Sequence, residues 1–111
     1  MNDLMLDEVI VVVKEKSSSP KKIPPYMIIV YNDDYHTFQY VIEVFAKVFR
    51  YDIDKCINLA IEIHNKGKCI AWTGSKELAE LKNEQIICAG PDIYSKKPVE
   101  FPLRTTIEPC N

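Results

Sequence analysis

From Phe38 onward the apolar residues Phe38, Val41, Ile42, Phe45, Val48 and Phe49 recur at intervals of three and four, which places them in one stripe. That spacing predicts an amphipathic helix ending near Arg50, with Thr37 or Asp34 placed to accept hydrogen bonds from the free N–H groups of its first turn. A second helix follows, capped by Asp52, with Asp54 in the first turn where the positive end of the helix dipole favours a carboxylate. Ile53, Ile57, Ala60 and His64 fall along its predicted buried face, and Gly67 supplies a left-handed stop. Ahead of these helices, YMIIVY from Tyr26 to Tyr31 is a β-branched and aromatic run of strand length, closed by the turn NDDYH. Lys68 to Thr73 reads as a second strand, Gly74-Ser75 as a turn into a third helix capped by Ser75 and stopped by Gly90-Pro91. After the loop DIYSKKPVEFP, Leu103 to Glu108 reads as a last strand. The order strand, helix, helix, strand, helix, strand predicts an α+β domain, a small three-stranded and largely antiparallel sheet covered on one face by three helices.

The first 25 residues break this pattern. They end in KEKSSSPKKIPP, where serines, lysines and prolines leave too little apolar surface to bury, and predict a flexible N-terminal extension over 1–25 ahead of a folded domain over 26–111. A chain of 111 residues with 47% hydrophobic content suits one domain with a modest core. Its formal net charge of -2, without a long lysine or arginine run, argues against nucleic acid as a partner. Val9 to Val13 is too short to span a membrane and follows acidic residues, which argues against a membrane partner and a secretory signal. Cys56, Cys69, Cys88 and Cys110 form no C-x-x-C pair, so they read as buried free thiols in a reducing, cytoplasmic setting, with no cofactor signalled.

The chemistry concentrates in the turn after the first strand, where Asn32, Asp33 and Asp34 crowd an amide and two carboxylates together. If the end of the second helix meets this turn over one edge of the sheet, His64 joins it. An amide carbonyl, a carboxylate and a neutral imidazole nitrogen all accept hydrogen bonds, and a primary ammonium offers three donors and no acceptor, so the set suits a cationic amine. Three other readings stay open. Asp33, Asp34, His36 and His64 are ligand types for a metal, although their spacing is not diagnostic. His64 with Cys56 or Cys69 has the composition of a base and a nucleophile. The acidic turn also fits an Asx turn whose carboxylate satisfies the backbone, which accounts for one aspartate more naturally than for the triplet.

PPYMIIVYNDDYHTFQYVIEVF, AIEIHNKGKCIAW and SKELAELKNEQI resemble, in order and spacing, the ClpS family of adaptor proteins for bacterial ATP-dependent proteases. The agreement runs from about Pro24 to Gly90 and resumes at PLRTTIEP, and its most specific feature is the N-D-D turn followed about thirty residues later by an I-H-x-x-G helix end. The resemblance implies a non-enzymatic adaptor, monomeric, that delivers proteins with a bulky hydrophobic first residue, an N-degron, to a Clp AAA+ unfoldase of ClpA or ClpC type. By position it implies that Asn32, Asp33 and His64 hold the substrate's α-amino group, with Asp34 and His36 bordering the site. It further implies that Phe38, Val41, Ala60, Ile63 and Leu103 line the pocket for the first side chain. Glu77 and Lys82 match the surface that docks the unfoldase's N-terminal domain, and the N-terminal arm corresponds to the extension that enters it. His36 stands where many relatives have threonine, and Phe38 and Ala60 stand where methionine is frequent, which bears on side-chain preference. The alternative is an interaction module of the same fold that binds a Clp unfoldase or another partner without recognising N-degrons.

Overall fold

Tyr26–Tyr31 forms the central strand β1 because it is apolar on both faces and can be paired on both edges. The computed structural model describes residues 23–111, so the extension expected at 1–25 lies outside the described residues up to residue 22. Along the chain the elements are β1 (Tyr26–Tyr31), α1 (Phe38–Phe49), α2 (Ile53–Lys66), β2 (Lys68–Gly74), α3 (Lys76–Ile87) and β3 (Thr105–Pro109). The sheet runs β2-β1-β3 with both pairings antiparallel, in agreement with the predicted α+β order. Ile28 and Val30 point into the core and are fully buried. The register with β2 slips between Ile28 and Ile29, where Ala71 is passed over. The last strand begins at Thr105 rather than Leu103, although the Tyr31 N–H still bonds the Arg104 carbonyl at 2.9 Å.

Each helix starts where its cap predicts. The Thr37 Oγ1 accepts from the Tyr40 N–H at 3.1 Å, Asp52 Oδ1 from the Lys55 N–H at 2.9 Å and Ser75 Oγ from the Leu78 N–H at 3.2 Å. Gly67, at φ 89°, ends α2 as expected, while α1 ends on Arg50 at φ 61°, a left-handed conformation that costs a non-glycine residue about 1–2 kcal/mol. The third helix stops at Ile87, before the expected Gly90-Pro91, because the Cys88 N–H closes the last turn on the Glu84 carbonyl. Gly74 has a packing role besides its turn: a Cβ there would sit 2.2 Å from Cη2 of Trp72.

The core is built from Ile28 and Val30 of β1, the α1 face from Tyr40 to Phe49, and Cys56, Ala60 and Ile63 of α2. The buried stripe of α2 is therefore rotated by about 60° from the predicted one, at about 100° per residue. Ile53 is 57% exposed and His64 is exposed, and the two stripes share only Ala60. On α1 the stripe also shifts: Tyr40, absent from the predicted set, is buried and donates its hydroxyl to the Gly90 carbonyl at 2.5 Å, while Phe38 is exposed. Only two of the four free cysteines, Cys56 and Cys69, are buried. Cys88 is exposed and Cys110 half-buried, which corrects the reading of four buried thiols.

Candidate functional site

The strand β1 ends in a turn held from two directions. The Asn32 N–H donates to the Gly67 carbonyl at 2.9 Å, which ties the turn to the C-terminal end of α2. Asp33 then folds the turn around itself. Its Oδ1 accepts from the N–H groups of Tyr35 at 2.8 Å and His36 at 2.7 Å, the Asx arrangement that the sequence left open, while Asp34 stays exposed. Oδ2 of Asp33 lies 2.7 Å from Nδ1 of His36, and Nε2 of the same ring lies 2.8 Å from the Phe101 carbonyl oxygen. A carbonyl can only accept, so Nε2 carries a proton. The ring thus bridges the Asp33 carboxylate and the Phe101 carbonyl. Burial by itself would push the Asp33 carboxyl up. The hydrogen bonds from the His36 backbone and ring and from the Tyr35 backbone outweigh it and hold the carboxyl below the ordinary aspartate value. The His36 ring stacks on Tyr40, with centroids 5.2 Å apart, and meets Phe101 edge-on at 5.1 Å.

Behind this turn lies a narrow hollow of about 10 Å³, little more than the room for one water molecule. Of the residues expected at the site, Asn32, Asp33, His36, Val41, Ile63 and Leu103 come together around it, with Val30 and Tyr31 completing the wall. Val41, Ile63 and Leu103 are buried, so the hollow has an apolar wall and a polar mouth. Phe38, on the first turn of α1, and Ala60, inside the core, are not among its lining residues. His64 is exposed one turn before Gly67, whose carbonyl holds Asn32, and among the described residues its ring makes no hydrogen bond to Asn32 or Asp33.

Two contributors escaped the sequence reading. Asp92, in the loop after α3, is wholly buried, and its carboxylate accepts from the Thr37 N–H at 2.6 Å, the Thr37 hydroxyl at 3.0 Å and the Tyr94 N–H at 3.0 Å. It supplements the Thr37 cap with a negative charge at the N-terminus of α1. Its backbone also pairs with Val99, at 2.8 and 2.9 Å, so the loop is folded back on itself and delivers Phe101 to the His36 ring. The Asx spacing of Asp92 and Tyr94 is visible in the sequence; the partner 55 residues away is not.

The remaining expected positions fall elsewhere. Glu77 is exposed on the first turn of α3. Lys82 is half-buried, with Nζ 3.4 Å from the Val48 carbonyl at the end of α1 and 5.6 Å from the Trp72 ring centroid, so part of its charge serves a helix C-terminus. Burial, with a smaller contribution from Glu62, pushes the Cys69 thiol up to about 12, and burial, then Asp52, pushes the Cys56 thiol up as well. That is the reverse of how a nucleophilic thiol is activated. Among the described residues no three of His, Cys, Asp and Glu gather as a metal-binding group. No described helix is long and apolar enough to cross a membrane.

A family model described as ATP-dependent Clp protease adaptor protein ClpS matches residues 21–106. The ATP-dependent Clp protease adapter protein ClpS of Vibrio atlanticus is 38% identical over 87 residues, covering 77% of this chain and 76% of the relative. The protein of the same name from Thermosynechococcus vestitus is 38% identical over 79 residues, covering 70% of this chain and 84% of the relative. Among solved structures, Agrobacterium tumefaciens ClpS2 bound to L-phenylalaninamide superimposes with a TM-score of 0.63 at 27% identity, covering 78% of this chain and 98% of that one.

Proposed function

Because the chain belongs to the ClpS family of ATP-dependent Clp protease adaptor proteins, we propose that it binds proteins through a free, bulky hydrophobic N-terminal residue and delivers them to a Clp AAA+ unfoldase. The observation that carries the reading is the pairing of a polar mouth, Asn32 and Asp33, with the apolar wall of Val41, Ile63 and Leu103 around one hollow. A protein N-terminus presents those two chemistries side by side, a cationic amine and a first side chain. L-phenylalaninamide, the molecule bound to the ClpS2 relative, presents the same pair.

In this reading the α-ammonium donates to the Asn32 carbonyl, the free acceptor position of Asp33 and the His64 ring, with Asp34 and His36 bordering the mouth. The first side chain enters between Val41, Ile63 and Leu103, which part to widen the hollow, while Phe38 and Ala60 lie outside its wall. Burying a leucine or phenylalanine side chain contributes roughly 1.5–3 kcal/mol and a charge-assisted hydrogen bond roughly 1.5–3 kcal/mol, so neither half alone gives useful affinity. Glu77 and Lys82 form part of the face that docks the unfoldase's N-terminal domain, of ClpA or ClpC type, and the adaptor acts as a cytoplasmic monomer.

Fluorescence anisotropy with matched peptides beginning in phenylalanine, one free and one N-acetylated, tests the proposal. Acetylation removes the charge and two of the three donors. The free peptide binds and the acetylated one does not; equal binding of the two refutes N-degron recognition. The narrowness of the hollow favours one competing reading, an interaction module that binds a Clp unfoldase or another partner without N-degrons, and it requires that neither peptide binds.

A further inference from the structure

A second, wider groove opens from the same corner. Asn32, Asp33 and Leu103 border it as well as the narrow hollow, and beyond them it is walled by Tyr35, Ile87 and Phe101, with Arg104 at its side. Tyr35 is 63% exposed, Phe101 50% and Ile87 47%, so three large apolar side chains from the turn, the loop and α3 are left in water around one depression. Single exposed apolar residues need no explanation, whereas a cluster rimming a groove marks a contact surface. Its aromatic wall is fixed before anything arrives. Phe101 meets Tyr35 edge-on at 5.6 Å and His36 at 5.1 Å, and its carbonyl is held by His36 Nε2 at 2.8 Å. A wall so held loses little conformational freedom when a ligand binds.

What would lie there follows from the continuity of the two depressions. A polypeptide with its amine at Asn32 and Asp33 and its first side chain in the hollow must continue outward, and an extended chain advances about 3.3–3.6 Å per residue. The second and third residues therefore pass the groove, and with side chains alternating in direction one of the two faces its apolar wall. Arg104, whose guanidinium lies 4.4 Å from the Tyr31 ring centroid, repels a cationic side chain there and can donate to passing backbone carbonyls. We propose that this groove is a subsite for an apolar side chain at the second or third position of the bound polypeptide, so that recognition extends past the first residue. The inference rests on the N-degron reading above.

Three probes test it by competition anisotropy: L-phenylalaninamide, Phe-Leu-Leu-amide and Phe-Gly-Gly-amide. The native protein binds the leucine peptide about tenfold more tightly than the glycine peptide. Ile87→Ser and Tyr35→Ser, at exposed positions that leave the fold intact, each reduce that ratio to below about threefold while the Kd for L-phenylalaninamide stays unchanged. A ratio near one in the native protein, or an undiminished ratio in both variants, overturns the subsite while leaving N-degron recognition standing. Variants that weaken all three probes alike also overturn it, because the groove then receives the first side chain. If the native protein binds none of the probes, the N-degron reading itself fails and the subsite with it.

Discussion

Removing the Asp92 carboxylate should unfasten the loop that supports the site, at a cost that can be worked from its partners. Asp92→Ala strands the Thr37 N–H, which now has a 2.6 Å acceptor, and deprives the Thr37 hydroxyl and the Tyr94 N–H of theirs. A hydrogen bond to a charged group is worth about 1.5–3 kcal/mol, and an anion at a helix N-terminus adds about 0.3–1 kcal/mol. The terms do not add fully, because a buried carboxylate also costs desolvation and Thr37 Oγ1 continues to cap Tyr40. A net loss of about 3 kcal/mol is expected, a large part of the 5–15 kcal/mol typical of a domain. Asp92→Asn keeps the shape and one acceptor oxygen, so it should lose about half as much. Urea unfolding followed by fluorescence of the single tryptophan, Trp72, gives the readout. With a urea slope of about 1–1.5 kcal/mol/M for a domain of this size, Asp92→Ala lowers the midpoint by about 2–3 M and Asp92→Asn by about half of that. A midpoint within about 0.5 M of the native protein for Asp92→Ala, or a larger loss for Asn than for Ala, would show that the carboxylate is not what holds the loop to α1.

Two further outcomes follow from titrating groups. The folded-state carboxyl of Asp33 is held below its unfolded value, so its contribution to stability is complete above the unfolded value and disappears as pH falls through the folded one. The stability gap between the native protein and Asp33→Asn should therefore narrow only below about pH 4, and a gap that stays constant to pH 2.5 in chemical denaturation contradicts the assignment. Under native conditions a disulfide reagent should modify exposed Cys88 first and reach Cys56 and Cys69 only on unfolding, since burial removes access and pushes both thiols up; one common rate for all four thiols would refute this.

Local chemistry in the sequence anticipated the fold because most of its decisions are local. Thr37, Asp52, Ser75 and Gly67 mark helix ends through hydrogen bonds or dihedral angles set within four residues, and all four act as expected. What failed depends on neighbours in space. The stripe of α2 passes through Cys56, Ala60 and Ile63 because α1 and β2 meet it there, and hydropathy alone does not distinguish that set from one turned by about 60°. The site divides along the same line. Asn32 and Asp33 stand out as a dense polar turn, while Phe101 reaches His36 from 65 residues away. Asp92, a charged residue in a loop, gave no sign that it would be fully buried.

The same geometry sets a condition on how an amine can be held. A carboxylate has about four acceptor positions, and Asp33 gives two to its own turn and a third to His36, so one position on Oδ2 remains. Oδ2 is moreover already engaged by His36 Nδ1 at 2.7 Å. In the proposed reading an incoming ammonium therefore finds one remaining acceptor position on Asp33, and its other donors need acceptors from Asn32 and the end of α2. This makes Asn32 more than a spacer: its backbone N–H on the Gly67 carbonyl fixes it at the rim of the hollow. The first side chain must then contribute a larger share of the affinity than it would beside an unpaired carboxylate.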